Sequence, residues 1–413
     1  MAAEYCQPIT TSKWRTHTRT RIHTRIAYLS VGASSQSSMD DKVFKQLGMF
    51  SLRKKIDDAV LRAEMLAPPA LQLEEDRRFR REEKIRDYDL WDDPVKSNEI
   101  LAKFADSTKV VDALKDLRYK IEEAKLIKEL AETDAVNYRL FKQAYMASVD
   151  ATNFLDWYQM SKLFRSSYDM HGASLVITAG DRGICSEIWA EHLLKMYVNW
   201  AEKKGHKGRV LEKYSLKGGG IKSATIEFEF EFAYGYLLGE EGVHHMLGSP
   251  NGSTVDEASQ AAVEVTPLFL DTVPDLTIDD KDLIVSYTSS SETENQPVAS
   301  VVYIEHVPTG ISVQSSGERN KFTNKVKALN RLKAKLLVIM SEQGISDVSS
   351  ITRDAIMDIW KRDTRVYKLH PNKVVEDLKT GVQLCDLNSV LNGYIDPFVG
   401  AHVNLRHAAL KVA

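Results

Sequence analysis

Cysteine is scarce in this chain of 413 residues, and its spacing argues against two kinds of stabilised fold. Cys6, Cys185 and Cys385 lie far apart, are odd in number and form no Cys-x-x-Cys pair. We therefore expect neither a disulfide framework nor a zinc site, and this usage fits a reducing compartment. Long apolar runs are also missing, because no stretch approaches the roughly 18–20 residues that cross a bilayer. We therefore expect no membrane partner.

A metal site is not indicated either. The adjacent residues His244 and His245 are the obvious candidates, but neighbours on an extended segment point to opposite faces. No carboxylate or thiol follows them at ligand spacing. We therefore predict no metal, no other cofactor and no small-molecule substrate.

Acidic residues are nearly absent from the first 38 residues, where Glu4 is the only one among many Ser and Thr. This composition is typical of a transit peptide, whereas a secretory signal would need a continuous apolar stretch. We predict that residues 1–38 direct the protein to the chloroplast stroma, with the mitochondrion as second choice. The alternative is a disordered basic arm that binds RNA. The basic residues are Lys13, Arg15, Arg19, Arg21 and Arg25.

Residues 40–168 have the periodicity of amphipathic helices. Apolar side chains recur at intervals of three and four, and charges fill the other faces. Pro68-Pro69 predicts a break in the first helix, and Asp92-Asp93-Pro94 predicts a stop followed by a new start. We expect a bundle of several helices without chemistry of its own.

The pattern changes after His171-Gly172. A short buried strand, a helix and a strand of period two over 224–233 predict a mixed α/β domain at 169–275. Gly218-Gly219-Gly220 predicts a turn, because a phosphate-binding loop would need a helix after it and a strand follows here. Further strands and a long basic helix predict a separate domain at 276–340, and we expect residues 341–413 to return to the central domain as its C-terminal part.

Several motifs, in matching order and spacing, resemble the class I peptide chain release factors of bacteria and organelles, in the subclass that reads UGA and UAA. The resemblance extends over nearly everything after residue 38. It implies an α+β fold with an N-terminal helical bundle, a mixed α/β central superdomain that reads the codon, and a small α/β inserted domain that enters the peptidyl transferase centre. The motifs are Leu90–Pro94, Gly220–Thr225, Gly242–His244, Pro308–Ile311 continuing to Leu336, Lys379–Val382 and Val390–Gly393.

The residues that carry peptide release in this family are missing here. The family uses a Gly-Gly-Gln tripeptide before its Pro-Thr-Gly turn, because two glycines allow a backbone conformation that places the Gln amide against the ester. The same positions here hold Ser291, Glu292 and Thr293, and the segment from Ser253 to Thr309 contains no glycine. The added carboxylates would also be repelled by RNA phosphates. The sequence therefore resembles plant plastid paralogues of release factors that lack the catalytic tripeptide, and we predict no enzymatic activity.

The codon-reading tripeptide of the subclass, Ser-Pro-Phe, is also altered. Ser249 and Pro250 remain, but Asn251 stands where phenylalanine is expected. Acidic residues replace the flanking basic loop. Stop-codon recognition is therefore not expected.

A predicted helix from about residue 320 to 340 concentrates positive charge where the family contacts large-subunit rRNA. Its expected apolar stripe of Phe322, Val326, Leu329, Leu332 and Leu336 should pack inward and leave the cations to bind phosphate. No aromatic ladder for base stacking accompanies the cations in this interpretation. The alternative is an ordinary solvated face. The candidate RNA-binding residues are Arg319, Lys321, Lys325, Lys327, Arg331, Lys333 and Lys335.

Three functions remain open from the sequence. The first is a non-catalytic, release factor-derived RNA-binding protein of the plastid that controls transcript stability through 3′-end protection, or translation. Its partners would be organelle mRNA or rRNA, with the ribosome and other RNA-binding proteins as further partners. The second is a hydrolase that uses a different residue, and the third is a ribosome-docking factor without chemistry. We favour the first, because loss of both loops removes the reasons for the ribosomal site to fit.

Overall fold

The computed structural model describes residues 49–87, 94–133, 138–164, 166, 168–181, 183–215, 219–248, 258–269, 276–289, 300–351, 353, 356, 358–369 and 373–412. The predicted transit peptide lies outside these ranges. No helix within them is both long and apolar enough to span a membrane. The chain divides into two compact units, Met1–Tyr158 and Gln159–Ala413, and each is described by itself.

Three long helices form the described part of the first unit. They are α1 (Met49–Asp87), α2 (Pro94–Thr133) and α3 (Tyr138–Leu163), and the last turn of α3 enters the second unit. Their buried faces repeat at helical spacing and meet in one apolar core that includes Leu52, Leu114 and Phe141. This arrangement agrees with the helical bundle expected from the sequence.

The predicted break at Pro68-Pro69 is wrong, because α1 runs through both prolines without interruption. Proline removes an N–H donor and usually kinks or ends a helix. Here Ala63, Ala67 and Ala70, on either side of the pair, are all buried in the core. Packing of this continuous apolar face holds the helix together where local propensity would end it.

An eight-stranded sheet forms the centre of the second unit, in the order β11-β10-β9-β4-β5-β1-β3-β2. The neighbouring strands are antiparallel except for the parallel pair β4 and β9. Helix α4 (Ile184–Lys203) buries Trp189, Leu193 and Trp200. The strands are β1 (Gly172–Ala179), β2 (Gly208–Ser215), β3 (Ile221–Phe228), β4 (Gly242–Leu247), β5 (Ser259–Leu268), β9 (Asp363–Lys368), β10 (Val374–Asp377) and β11 (Gln383–Leu384).

Strand β3 ends earlier than the alternating pattern predicted. The chain leaves the sheet after Phe228, and Phe232 takes a left-handed conformation with φ of 65° before the short helix α5 (Ala233–Leu237). The Phe232 ring is buried and stacks on Phe164 with 5.6 Å between ring centroids. Aromatic packing therefore offsets the strain of the turn, and alternation alone cannot show this.

A separate three-stranded sheet, in the order β6-β7-β8, lies in the same unit. Its strands are β6 (Leu283–Ser289), β7 (Ser300–His306) and β8 (Ile311–Ser315). Helix α6 (Lys321–Gln343) begins at Asn320, whose side chain accepts a hydrogen bond from the Phe322 amide, and ends at Gly344 with φ of 65°. The described chain closes with α7 (Leu387–Leu391) and α8 (Asp396–Val412).

Candidate nucleic-acid interface

Helix α6 packs between the small sheet and the central sheet. On one side Ala328, Leu332 and Leu336 join Val302 and Ile304 of β7 in an apolar core. On the other side Ala334, Arg331 and Lys335 are turned toward the central sheet, where both cations find carboxylates. A helix covered on two sides can offer only its remaining surface to RNA.

Arg331 belongs to the covered surface and, contrary to the expectation from the sequence, is not exposed to bind RNA. The residue is 7% exposed. Its guanidinium contacts Glu212 on β2 at 3.4 Å and Glu227 on β3 at 3.2 Å, and it donates to the Gln314 carbonyl at 3.0 Å. Burying a cation requires such partners, so Arg331 joins α6 to the central sheet.

Glu227 and Glu212 are residues that sequence reasoning missed. Glu227 on β3 is buried and is also paired with Arg209 at 2.9 Å. Glu212 accepts a hydrogen bond from the Ser316 amide at 2.7 Å. The sequence signal was weak, because alternation usually marks a strand with one solvated face, and the cation that pairs with both carboxylates, Arg331, comes from a distant helix.

Two lysines of the predicted set are engaged in ion pairs. Lys335 is mostly buried and pairs with Glu264 of β5 at 2.7 Å. Lys327 pairs with Glu318 at 2.6 Å, and its hydrogen bond and charge lower the pKa of that carboxyl. Both charges are therefore largely neutralised by the protein itself.

Four cations remain available on this surface. Arg319 and Lys321 are exposed, and Lys325 and Lys333 are half-buried. Among the residues that the structure describes, none of the four forms an ion pair or side-chain hydrogen bond. These four residues define what we call the outer cation group of α6.

The predicted apolar stripe is also partly wrong. Leu332 and Leu336 are buried as expected and Leu329 is half-buried, but Phe322 is 69% exposed and Val326 is 41% exposed. The buried face is rotated because α6 must meet two sheets, and Asn324, Ala328 and Arg331 take the inner positions. Asn324 closes the start of the helix, since its amide exchanges two hydrogen bonds with the Glu318 backbone at 3.0 and 2.9 Å.

The expected release tripeptide falls between β6 and β7. Ser291, Glu292 and Thr293 lie outside the described residues, but the strands on either side pair antiparallel up to Ser289 and Ser300. The intervening residues 290–299 thus connect the two strands of a hairpin. This connection contains two glutamates and no glycine or basic residue.

The turn between β7 and β8 keeps the Pro-Thr-Gly pattern of the family. Gly310 has φ of 70°, and a Cβ there would lie within 3 Å of the Arg353 guanidinium. Its amide donates to the His306 carbonyl at 2.7 Å, and the His306 ring bonds the Thr309 hydroxyl at 2.8 Å. The positive φ favours glycine at this position, so the motif here maintains the turn.

The Gly-Val-His motif lies on β4 and its histidine is structural. His244 is fully buried, with its ring bonded to the Glu240 carbonyl at 2.9 Å and to the Tyr367 hydroxyl at 3.3 Å. Burial and the nearby charge of Arg365 lower its pKa to about 4. His245 points the other way and contacts Asp363 at 2.7 Å. The positions Ser249, Pro250 and Asn251, shortly after β4, lie outside the described residues.

Comparison with known proteins places these features in one family. A PCRF domain matches residues 75–257, and an RF-1 domain matches residues 271–379. The chain is 51% identical over 397 residues to peptide chain release factor PrfB3, chloroplastic, of Arabidopsis thaliana, covering 96% of both chains. It is 36% identical over 365 residues to PrfB1, chloroplastic, of the same plant, covering 87% of this chain and 80% of that one.

Bacterial proteins extend the similarity. Peptide chain release factor 2 of Clostridium perfringens is 31% identical over 326 residues, covering 78% of this chain and 89% of that one. The solved structure of RF2 of Thermus thermophilus matches with a TM-score of 0.52 and 25% identity, and the match covers 89% of this chain and 99% of that one. The α+β fold expected from the sequence is confirmed by this likeness.

Proposed function

The chain belongs to the class I peptide chain release factor family, and from this premise we propose that it is a non-catalytic RNA-binding protein of the plastid. In this proposal it controls the stability of organelle transcripts, through 3′-end protection, or their translation. Release factors hydrolyse peptidyl-tRNA on the ribosome. The proposal that this chain lacks that activity rests on the residues of one segment.

The observation that supports loss of catalysis is the β6–β7 connection. The family places Gly-Gly-Gln there, and this chain has Ser291, Glu292 and Thr293. Glycine can take backbone conformations that are closed to residues with a side chain. This chain has side chains at the first two positions and therefore loses those conformations. A carboxylate would also oppose both an anionic transition state and surrounding RNA phosphates. Electrostatic repulsion and backbone geometry therefore both disfavour peptide release by this chain.

The observation that supports RNA binding is the outer cation group of α6. Arg319, Lys321, Lys325 and Lys333 form no ion pair among the described residues, while Lys327, Arg331 and Lys335 are paired with carboxylates. Phosphate contacts of this type give affinity that falls as salt rises. The number of available contacts is about four rather than seven, which sets the expected salt dependence.

The plastid location is supported by two lines of reasoning. Two relatives that match most of this chain are chloroplastic proteins. The first 38 residues have the basic, hydroxyl-rich and acid-poor composition of a transit peptide. A reporter fused to residues 1–40 should therefore enter plastids, and cytosolic fluorescence would contradict this.

Release of peptides from termination complexes is the direct test of the proposal. We expect no stop-codon-dependent release by the mature chain, with a chloroplastic release factor carrying Gly-Gly-Gln as the positive control. The matched variant carries Ser291→Gly, Glu292→Gly and Thr293→Gln in one chain. It tests whether the missing tripeptide alone prevents peptide release. Measurable release by the unaltered chain would refute the non-catalytic assignment and favour a hydrolase that uses another residue.

A ribosome-docking role without chemistry is the second candidate. It is favoured by the intact packing around Gly310 and His244, both of which belong to motifs shared with release factors. Co-sedimentation with plastid ribosomes at moderate salt distinguishes ribosome docking from binding to free RNA. Binding to free transcript ends with no ribosome association supports the first proposal, and stable ribosome binding with no free RNA affinity supports the second.

A further inference from the structure

An aromatic ring stands exposed in the first turn of α6. Phe322 is 69% exposed, and Val326, Leu329 and Lys333 follow it at helical spacing on the same face. The sequence pattern assigned this ring to the core, but the small sheet begins to cover the helix only at Asn324 and Ala328. The ring is therefore available to a ligand.

From Arg319 to Met340, the charged residues on either side of Phe322 in the sequence are all basic. Lys325 lies one turn away on the same side of the helix, Lys321 precedes the ring, and Arg319 stands just before the helix. No acidic residue occurs between Arg319 and Met340. The nearest acid, Glu318, is paired with Lys327. Positive charge with an exposed ring at its centre matches the two needs of a nucleic-acid strand, for phosphate contacts and for a stacking surface.

From this arrangement we infer that Phe322 is a stacking platform for one base of a single-stranded RNA, whose phosphates are held by Arg319, Lys321 and Lys325. The inference rests on the proposed function and deepens it by naming the strand type and the contact. Every base has a π-face, so this contact is tolerant of sequence. A base within a duplex is already stacked, so single strands are preferred.

The extent of the surface limits the length of RNA it can take. Lys321 and Lys333 are twelve positions apart, which corresponds to about 18 Å along the helix axis. A short run of nucleotides fits this length. The start of α6, where Phe322 lies, carries a partial positive charge from the helix dipole and attracts phosphate. No acidic side chain in the first turn offsets this charge.

The occupant we assign is RNA rather than an apolar protein surface. The exposed apolar area is small, being formed mainly by Phe322 and Val326, and it is bordered by cations on the side of Lys325 and Lys333. A stable protein interface would need a much larger area with charge depleted at its centre. Charge complementarity therefore favours a polyanion.

The test compares three variants of the full mature chain: Phe322→Ala, Phe322→Leu and Phe322→Tyr. Affinity is measured for a labelled single-stranded RNA of about twelve nucleotides and for the same backbone with abasic residues. We expect Phe322→Ala and Phe322→Leu to weaken binding of the normal RNA by about five- to a hundredfold, and Phe322→Tyr to restore it. On abasic RNA all three should equal the unaltered protein. The salt slope should be the same throughout, because no phosphate contact changes.

The ring is exposed, so the substitutions should leave thermal unfolding unchanged, and this serves as the folding control. Full affinity in Phe322→Leu would overturn the stacking role, because an apolar side chain without a π-face would then suffice. Unchanged RNA affinity in Phe322→Ala, combined with loss of self-association or of a bound protein, would assign the face to a second copy or a protein partner. If the unaltered chain binds no RNA, the proposed function fails first, and this outcome is distinct from failure of the stacking contact alone.

Discussion

Two buried arginines of the second unit, Arg365 and Arg331, each meet two carboxylates but in different ways. Arg365 on β9 is 1% exposed and donates to both oxygens of Glu240 at 2.7 Å and to Asp377 at 3.0 Å. Its guanidinium also lies over the Phe398 ring at 4.0 Å. Burial alone would raise the pKa of Glu240, but Arg365 lowers it below its ordinary value. This cluster ties the turn before β4 to β9, β10 and α8.

Arg331 has longer and single contacts, at 3.2 and 3.4 Å, to carboxylates that keep other partners. It joins the helix of the small domain to the central sheet. The basic residues of α6 thus divide into those that pair with the protein's own carboxylates and those that form no ion pair among the described residues. Their number in the sequence does not reveal the division, because the carboxylates that decide it come from distant strands.

The largest effect should come from Arg365→Leu. Glu240 and Asp377 would stay buried without their cation, keeping hydrogen bonds from Tyr197 and from Thr380, and we expect the free energy of unfolding of the second unit to fall by about 3–5 kcal/mol. Urea unfolding followed by tryptophan fluorescence measures it. Lys368→Met is the matched control, because its pair with Glu376 is more exposed, and it should change stability by less than about 1 kcal/mol. Equal losses in the two variants would contradict the importance of burial.

Arg331→Leu should destabilise less, by about 1–3 kcal/mol, because Glu227 keeps Arg209 and Glu212 keeps the Ser316 amide. The same variant should bind RNA with unchanged salt slope, since Arg331 does not face the ligand. Unfolding and RNA titration on the same preparation measure both. A reduced slope in a folded variant would return Arg331 to the RNA-binding group.

The pH dependence of stability tests the core around His244. Its pKa is lowered to about 4, so the unfolded chain binds more protons than the folded one between about pH 4 and 6.5, and stability should rise with pH in that window. Relative to His244→Gln, we expect the unaltered protein to gain about 3 kcal/mol across this window and nothing above it. Taking this difference cancels the opposite contribution of Glu241, whose pKa burial raises to about 7. A difference that does not vary with pH would contradict the prediction.

The smallest effects should separate two lysines of the same helix. Lys325→Gln should lower RNA affinity and reduce the salt slope by roughly 0.7, the value for one phosphate contact on a single strand, with no change in stability. Lys335→Gln should lower stability by up to about 1 kcal/mol through loss of its pair with Glu264, with no change in salt slope. Identical behaviour of the two variants would show that the paired cations of α6 do not differ from its outer cation group.

Much of the fold follows from local patterns. The three long helices, the two sheets and α6 could be predicted because their apolar residues repeat at periods of 3.6 or 2. The errors occur where distant packing outweighs local preference. Pro68 and Pro69 remain inside α1 because the surrounding alanines are buried, and β3 ends at Phe228 because Phe232 packs on Phe164.

The candidate interface could be located from charge but not resolved into its parts. The sequence placed a basic helix after the Pro308–Gly310 turn and showed that Gly-Gly-Gln is missing, since both are properties of consecutive residues. Exposure of Phe322 was not foreseen, because its spacing is equally compatible with the buried stripe. Which face of a helix is buried depends on what packs against it.

The sequence by itself determined family membership, the absence of a Gly-Gly-Gln tripeptide, and the presence of a strongly basic helix, because each depends on the identity and order of neighbouring residues. The tertiary structure decided which of those cations are available and which ring is exposed. The physical reason is that ion pairing and burial join residues far apart in the chain, as when Arg331 meets Glu212 and Glu227. A buried charge must find a partner wherever the fold supplies one, and α6 lies against a sheet that supplies several.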